Sequence, residues 1–184
     1  MDAADPEHEA VVAVRPGGLR RQLVETLHVA FGAQLMSETT FANRLELVRS
    51  ATIIDTAVVV GDLTTRAARS GMHPVAASTI QSMYGDLMSC PRRGERNDPV
   101  VLLALDWSGA QQELLIGRSP EADAMLSGPK VSRRHARLRF RDGGWFLEDL
   151  DSTNGTVVNG AFVTSSALHP GDRLVIGDHH LIVD

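Results

Sequence analysis

Hydrophobic positions in the first third of the chain recur at helical spacing. Leu19, Leu23, Leu27 and Phe31 stand four apart, and Val24 and Ala30 widen the stripe. This is the pattern of an amphipathic helix that buries one face. Gly32 is placed to end it. Ser37 then offers a hydroxyl for an N-cap, and Glu38 follows where the positive end of the helix dipole favours an acid. Phe41, Leu45 and Val48 supply a second apolar stripe. Two helices joined by so short a connection should pack antiparallel. Over Ile53–Val60 the pattern fits a short helix and a strand equally well. From Val100 the period changes to two. Ala136, Leu138 and Phe140 alternate with Arg137, Arg139 and Arg141, which predicts a strand with one buried and one wet face. Asp142-Gly143-Gly144 reads as a hairpin turn, with Trp145–Leu150 as the return strand. Asn154-Gly155, Asn159-Gly160, Pro170-Gly171 and Gly177-Asp178 punctuate the remainder, and frequent turns between short strands predict an all-β sandwich.

Between these halves, residues 64–98 hold Pro74, Pro91, Gly71, Gly85, Gly94 and the charged run Arg92-Arg93-Gly94-Glu95-Arg96. This composition reads as a linker, with room for an amphipathic turn or two around Ile80–Met88. The expected organisation is a tail over 1–18, a small helical domain over 19–63, a linker over 64–98 and a β-domain over 99–184. The chain as a whole is then α+β.

Composition narrows the function more than the fold. Across 184 residues, Lys+Arg 18 against Asp+Glu 23 gives a net charge of −5. Residues 1–98 carry 12 acidic and 10 basic side chains, and residues 99–184 carry 11 and 8. Neither half is the positive face that sequence-independent nucleic-acid binding requires. The cleanest apolar run, Val100–Leu105, is strand-sized and far short of a membrane span. The acidic start Met-Asp-Ala-Ala-Asp-Pro-Glu is unlike a secretory signal. Cys90 is the sole cysteine, so no intrachain disulfide can form, and a cytoplasmic protein is expected. Lys130 is the single lysine, so an anion site here would rest mainly on guanidinium groups.

Catalytic and metal signatures are missing. The seven histidines show no zinc-ligand spacing, and adjacent His179 and His180 should point to opposite faces of a strand. No nucleophile elbow, P-loop or dinucleotide fingerprint occurs. Neither an enzyme, a metal nor a cofactor is therefore expected.

The informative residues cluster at expected strand ends. They are Gly117-Arg118-Ser119, then Ser132-Arg133-Arg134-His135, then Ser152-Thr153-Asn154-Gly155-Thr156, then Asn159-Gly160. Taken singly, these are ordinary turns with solvated arginines. Together they offer guanidinium forks, a hydroxyl and a side-chain amide, an inventory suited to a tetrahedral oxyanion carried on a peptide.

In order and spacing they closely resemble the forkhead-associated (FHA) domain, with the match covering roughly Pro99–Asp184. The resemblance implies an eleven-stranded β-sandwich whose apical loops bind phosphothreonine peptides. It implies that Arg118 grips the phosphate, that Ser132 donates a hydroxyl to it, and that Arg133 reaches phosphate or peptide backbone. Thr153 and Asn154 match the pair that holds the phosphothreonine backbone and its neighbour. His135 matches a histidine that ties the loops together. Gly117 and Gly155 match positions where a Cβ would be awkward, and Asn159 matches a turn residue that supports the site. Lys130 lies where the family often selects the residue three beyond the phosphothreonine. A lysine there would favour an acidic residue, although a plainly solvated lysine fits as well.

The implied partner is a phosphothreonine protein or peptide, on a Ser/Thr protein kinase or its substrate, with no nucleic acid and no membrane. The helical half resembles a small actinobacterial domain without established activity, through Leu27–Phe31, Leu35–Phe41 and Val60–Leu63. Its expected use is packing against a partner or itself. Some bacterial FHA proteins fold a phosphorylated N-terminal threonine onto their own site. Glu38-Thr39-Thr40 is similar to such a segment in pairing an acid with threonines, and helix capping is its simpler use. Two other functions stand beside the adaptor reading. One is a phosphate-independent scaffold or oligomerisation protein. The other is a transcription regulator with the helical half reading DNA, which the scattered arginines disfavour.

Overall fold

The computed structural model describes residues 17–69, 82 and 101–184. The tail over 1–16 and most of the expected linker, including Cys90 and all of the stretch Ile80–Met88 but residue 82, lie outside the described residues.

Two antiparallel helices open the described chain: α1, Gly18–Gly32, and α2, Glu38–Ser50. Ser37 caps α2, its Oγ accepting the Thr40 N–H at 3.2 Å. Leu23, Leu27 and Ala30 are buried as the stripe requires. Phe31 sits at the rim, stacked on Phe41 with ring centroids 4.6 Å apart. At the other end, the Arg20 guanidinium reaches the Ala51 carbonyl at 3.3 Å. The end of α1 thus meets the start of α2, and the start of α1 meets the end of α2. Gly32 does not supply the left-handed stop. It remains helical, and Gln34 takes the positive φ of 59° while the Leu35 N–H returns to the Ala30 carbonyl at 3.0 Å.

The ambiguous stretch Ile53–Val60 is both elements in turn. Strand β1 runs Ile53–Asp55 and helix α3 runs Thr56–Val60, with the Asp55 carboxylate capping α3 through the Ala57 N–H. Helix α4, Leu63–Arg69, carries regular structure past residue 63, where the pattern places the linker's start.

Ten further strands follow: β2 Val101–Leu103, β3 Glu113–Gly117, β4 Ala124–Met125, β5 Ala136–Arg141, β6 Gly144–Asp149, β7 Thr156–Val158, β8 Ala161–Val163, β9 Ser165–Leu168, β10 Arg173–Ile176 and β11 His179–Val183. They form a six-stranded sheet, β1-β2-β11-β10-β7-β8, facing a five-stranded sheet, β4-β3-β5-β6-β9. The β5–β6 hairpin turns at Asp142 and Gly143, both at positive φ (52° and 79°), the geometry that a two-residue hairpin loop demands. Trp145, Leu114, Leu138, Leu147, Leu174 and Ile176 fill the space between the sheets. Among the described residues no helix is long and apolar enough to cross a membrane.

The first strand of this sandwich comes from the helical half. β1 pairs antiparallel with β2, with Ile54 opposite Leu102. Side chains on β2 and β11 alternate between two cores. Leu103, Leu181 and Val183 enter the sandwich, whereas Leu102, Ala104 and Ile182 pack among Leu23, Leu27, Val48 and Ile54. The helices therefore cover one end of the outer face of the six-stranded sheet. Asp184 locks them there, its carboxylate accepting the backbone N–H groups of Leu19 at 2.7 Å and Arg20 at 2.9 Å. This satisfies free donors at the start of α1 that Gly17 has no side chain to reach.

Candidate functional site

Three loops converge at one end of the sandwich: 118–123 between β3 and β4, 126–135 between β4 and β5, and 150–155 between β6 and β7. Backbone hydrogen bonds lace the first two together. The Arg118 N–H donates to the Ser132 carbonyl at 3.0 Å, and the Ser119 N–H donates to the Arg133 carbonyl at 3.2 Å. Gly117 makes this approach possible, because a Cβ there would run into the Arg133 carbonyl. The third loop joins through Ser132 and Asn154. The Thr153 N–H donates to Ser132 Oγ at 3.1 Å, and Asn154 Nδ2 donates to the Lys130 carbonyl at 2.8 Å.

His135 sits fully buried behind these loops. Its Nδ1 accepts the Ser132 N–H at 3.1 Å, so the ring proton belongs on Nε2, which donates to the Gly155 carbonyl at 3.2 Å. One neutral imidazole thus spans two of the three loops. Gly155 has a φ of +74° and lies under the Phe162 ring, so a side chain there would be strained and crowded.

Asp149, which the sequence pattern leaves without a role, organises the third loop. Its Oδ1 accepts from Thr156 Oγ1 at 2.6 Å and Ser152 Oγ at 2.7 Å, and its Oδ2 accepts the Ser152 N–H at 2.9 Å. Burial pushes this carboxyl up, but the bonds from Thr156 and Ser152 outweigh burial and hold it below the usual carboxylate range. A carboxylate depressed in the folded state stabilises the fold above its unfolded pKa and loses that contribution as pH falls through the folded value. This part of the stability is therefore lost in acid below about pH 4 and is intact at neutrality. Asp149→Ala removes all three bonds and should cost about 2–4 kcal/mol, read as a lower midpoint in urea unfolding.

The loops enclose an open cavity of about 670 Å³ lined by Arg118, Ser119, Glu121, Pro129, Val131, Ser132, Arg133, Arg134 and Thr153. Arg118, Ser132, Arg133 and Thr153 are thus brought together. Ser119, Glu121, Pro129, Val131 and Arg134 join them from the same loops. Arg118, Arg133 and Arg134 are exposed, and among the described residues none of them forms an ion pair. Ser132 Oγ accepts the Thr153 N–H and also lies 3.4 Å from Thr153 Oγ1, a contact in which either hydroxyl can donate.

Asn154 sits beside this lining with its amide tied to Lys130. The Lys130 ammonium is turned to Asp178 Oδ1 at 2.7 Å. Asn159 is remote from the cavity. It sits in the β7–β8 turn at φ 50°, where its side chain bonds Asp172 Oδ1 at 2.8 Å and the Arg173 N–H at 2.9 Å. Among the described residues no group of three potential metal ligands occurs. The cavity presents guanidinium groups and hydroxyls together with the Glu121 carboxylate, and the guanidinium and hydroxyl donors suit an anion.

A two-sheet sandwich with an arginine-lined apical notch defines a class of anion-recognition module. The chain belongs to the FHA-domain family. The family's FHA domain profile matches residues 114–177. An oxoglutarate dehydrogenase inhibitor of Corynebacterium efficiens is 32% identical over 69% of this chain and 85% of its own length. The oxoglutarate dehydrogenase inhibitor of Corynebacterium glutamicum is 39% identical over 61% of this chain and 75% of its own. The FHA domain-containing protein FhaB of Mycobacterium tuberculosis is 43% identical over 33% of this chain, a match spanning 39% of that relative.

Proposed function

We propose that this chain binds phosphothreonine peptides in the apical cavity and acts as a signalling adaptor in Ser/Thr kinase pathways. The observation that carries this reading is the convergence on one cavity of a hydroxyl donor and three guanidinium groups, none of which has an acidic partner among the described residues. A phosphothreonine brings about −1.5 to −2 charge and three strong acceptor oxygens, which match that donor set. Arg118 takes the phosphate, Ser132 donates to it, and Arg133 and Arg134 share its charge. Thr153 and Asn154 hold the peptide backbone. Pro129 and Val131 give the threonine methyl a surface to pack on.

The chain's overall charge of −5 does not oppose this, because charge elsewhere on the molecule is screened beyond about 8–10 Å. The work is regulatory binding without catalysis, in the cytoplasm, with a Ser/Thr kinase or one of its substrates as partner. The inhibitor names of two of its relatives support this. An oriented phosphothreonine peptide library tests it. Enrichment of particular flanking residues is expected, and recovery that phosphatase treatment leaves unchanged would count against it.

A further inference from the structure

Among the described residues, the outer face of the six-stranded sheet is only half covered. The helices end at β11, where Ile182 packs into their core. Beyond it, the strand registers set one row across four strands. His180 lies opposite Val175, Val175 opposite Val157, and Val157 opposite Phe162. Leu174, Ile176 and Val158, the neighbours of Val175 and Val157 along their strands, are buried in the sandwich. Alternation therefore turns this row outward. Val157 and Val175 are half-buried and stand apart from both cores. Phe162 is 77% exposed.

The Phe162 ring rests on Gly155, where a Cβ would come within 3.0 Å of it. Gly155 follows directly on Thr153 and Asn154, so the apolar row starts at the loop that reads the peptide.

We infer that Phe162, Val157 and Val175 form a second docking strip, which takes an apolar segment of the same protein whose phosphothreonine occupies the cavity. The inference rests on the phosphothreonine reading above. A single exposed apolar residue needs no explanation, but an aromatic continuous with two valines and a recognition loop has the make-up of an interface anchor. The strip carries no acid, and His180 and Arg173 border it, so an aliphatic or aromatic partner side chain suits it. Val157 lies three residue steps along the chain from Asn154, at most about 10 Å away. A ligand in extended conformation reaches the strip about four to seven residues from its phosphothreonine.

The test uses the full chain and phosphothreonine peptides randomised at seven positions on either side. Selection of Leu, Ile, Val, Met or Phe at one of the distal positions is expected. Phe162→Ser should erase that selection and weaken the best distal-apolar peptide about tenfold. Binding of a pentapeptide that reaches only the cavity should stay unchanged, which also verifies that the variant is folded. Absence of distal selection, or identical selection by Phe162→Ser, overturns the strip while leaving the cavity reading intact. Loss of phosphate dependence in both proteins overturns the cavity reading and the strip with it. A wild-type dimer in sedimentation that Phe162→Ser dissociates would assign the strip to a second copy of the chain and overturn the inference.

Discussion

Arg118→Ala should weaken a phosphothreonine peptide by about 2–5 kcal/mol while leaving thermal stability within about 0.5 kcal/mol of the wild type. The asymmetry follows from where Arg118 sits. Its backbone belongs to the frame, since its N–H bonds to the Ser132 carbonyl at 3.0 Å and Gly117 before it admits close approach to the Arg133 carbonyl. Its side chain does no structural work. It is exposed, and among the described residues it has no acidic partner. Removing it should cost the fold little and, on the reading proposed above, deprive a phosphate of a charged, two-pronged donor. Arg118→Lys should fall between the two, because it keeps the charge and loses the two-pronged geometry. Isothermal titration paired with a melting curve measures both halves of the statement. Unchanged affinity in Arg118→Ala would separate the arginine from the ligand.

Ile54→Asp should destabilise the helical half and the sandwich together, by about 3–5 kcal/mol. Ile54 is fully buried at the centre of β1, opposite Leu102, in the core shared by Leu23, Leu27, Val48 and Ile182. A carboxylate there has no cation to meet and disrupts the edge pairing with β2. The helices and the sandwich share a sheet, a core and the Asp184 cap, so one cooperative transition is expected. Far-UV circular dichroism reports the helices, and fluorescence reports Trp145 in the sandwich core together with Trp107, whose Nε1 donates to the Asp184 carbonyl. The two should melt together in the wild type and shift together in the variant. Two independent domains would instead give an early helical transition and an unmoved tryptophan signal.

Local features are legible in the amino-acid pattern. The Leu23–Leu27 stripe, the Ser37 cap, the Ala136–Leu138–Phe140 alternation and the Asp142-Gly143 turn are short-range patterns with direct physical causes, and each stands in the fold where its spacing places it. Gly117–Ser119, Ser132–His135 and Ser152–Gly155 lie on or beside the loops that converge on the cavity, whereas Asn159 sits in the β7–β8 turn away from it. What the pattern misses depends on distant residues. Asp184 meets α1 across 165 positions of sequence. β1 is three residues long, too short to carry a period, and is defined by the strand it pairs with. Asp149 looks like any acid before a turn until Ser152 and Thr156 close around it. Lys130, for which the pattern leaves peptide preference and plain solvation both open, pairs with Asp178 on the β10–β11 turn, 48 positions away. The division into two domains by composition follows a real change of period. The hydrogen bonds and cores cross that boundary.

The phosphate is the centre of the account. Calorimetric titration of the full chain with three peptides, identical except for phosphothreonine, phosphoserine or threonine at one position, addresses it most directly. Saturable one-to-one binding is expected for phosphothreonine, binding weaker by about 5- to 100-fold for phosphoserine through loss of the methyl contact, and no measurable heat for threonine. Equal affinity for the phosphorylated and unphosphorylated peptides would contradict the assignment of the arginine-lined cavity.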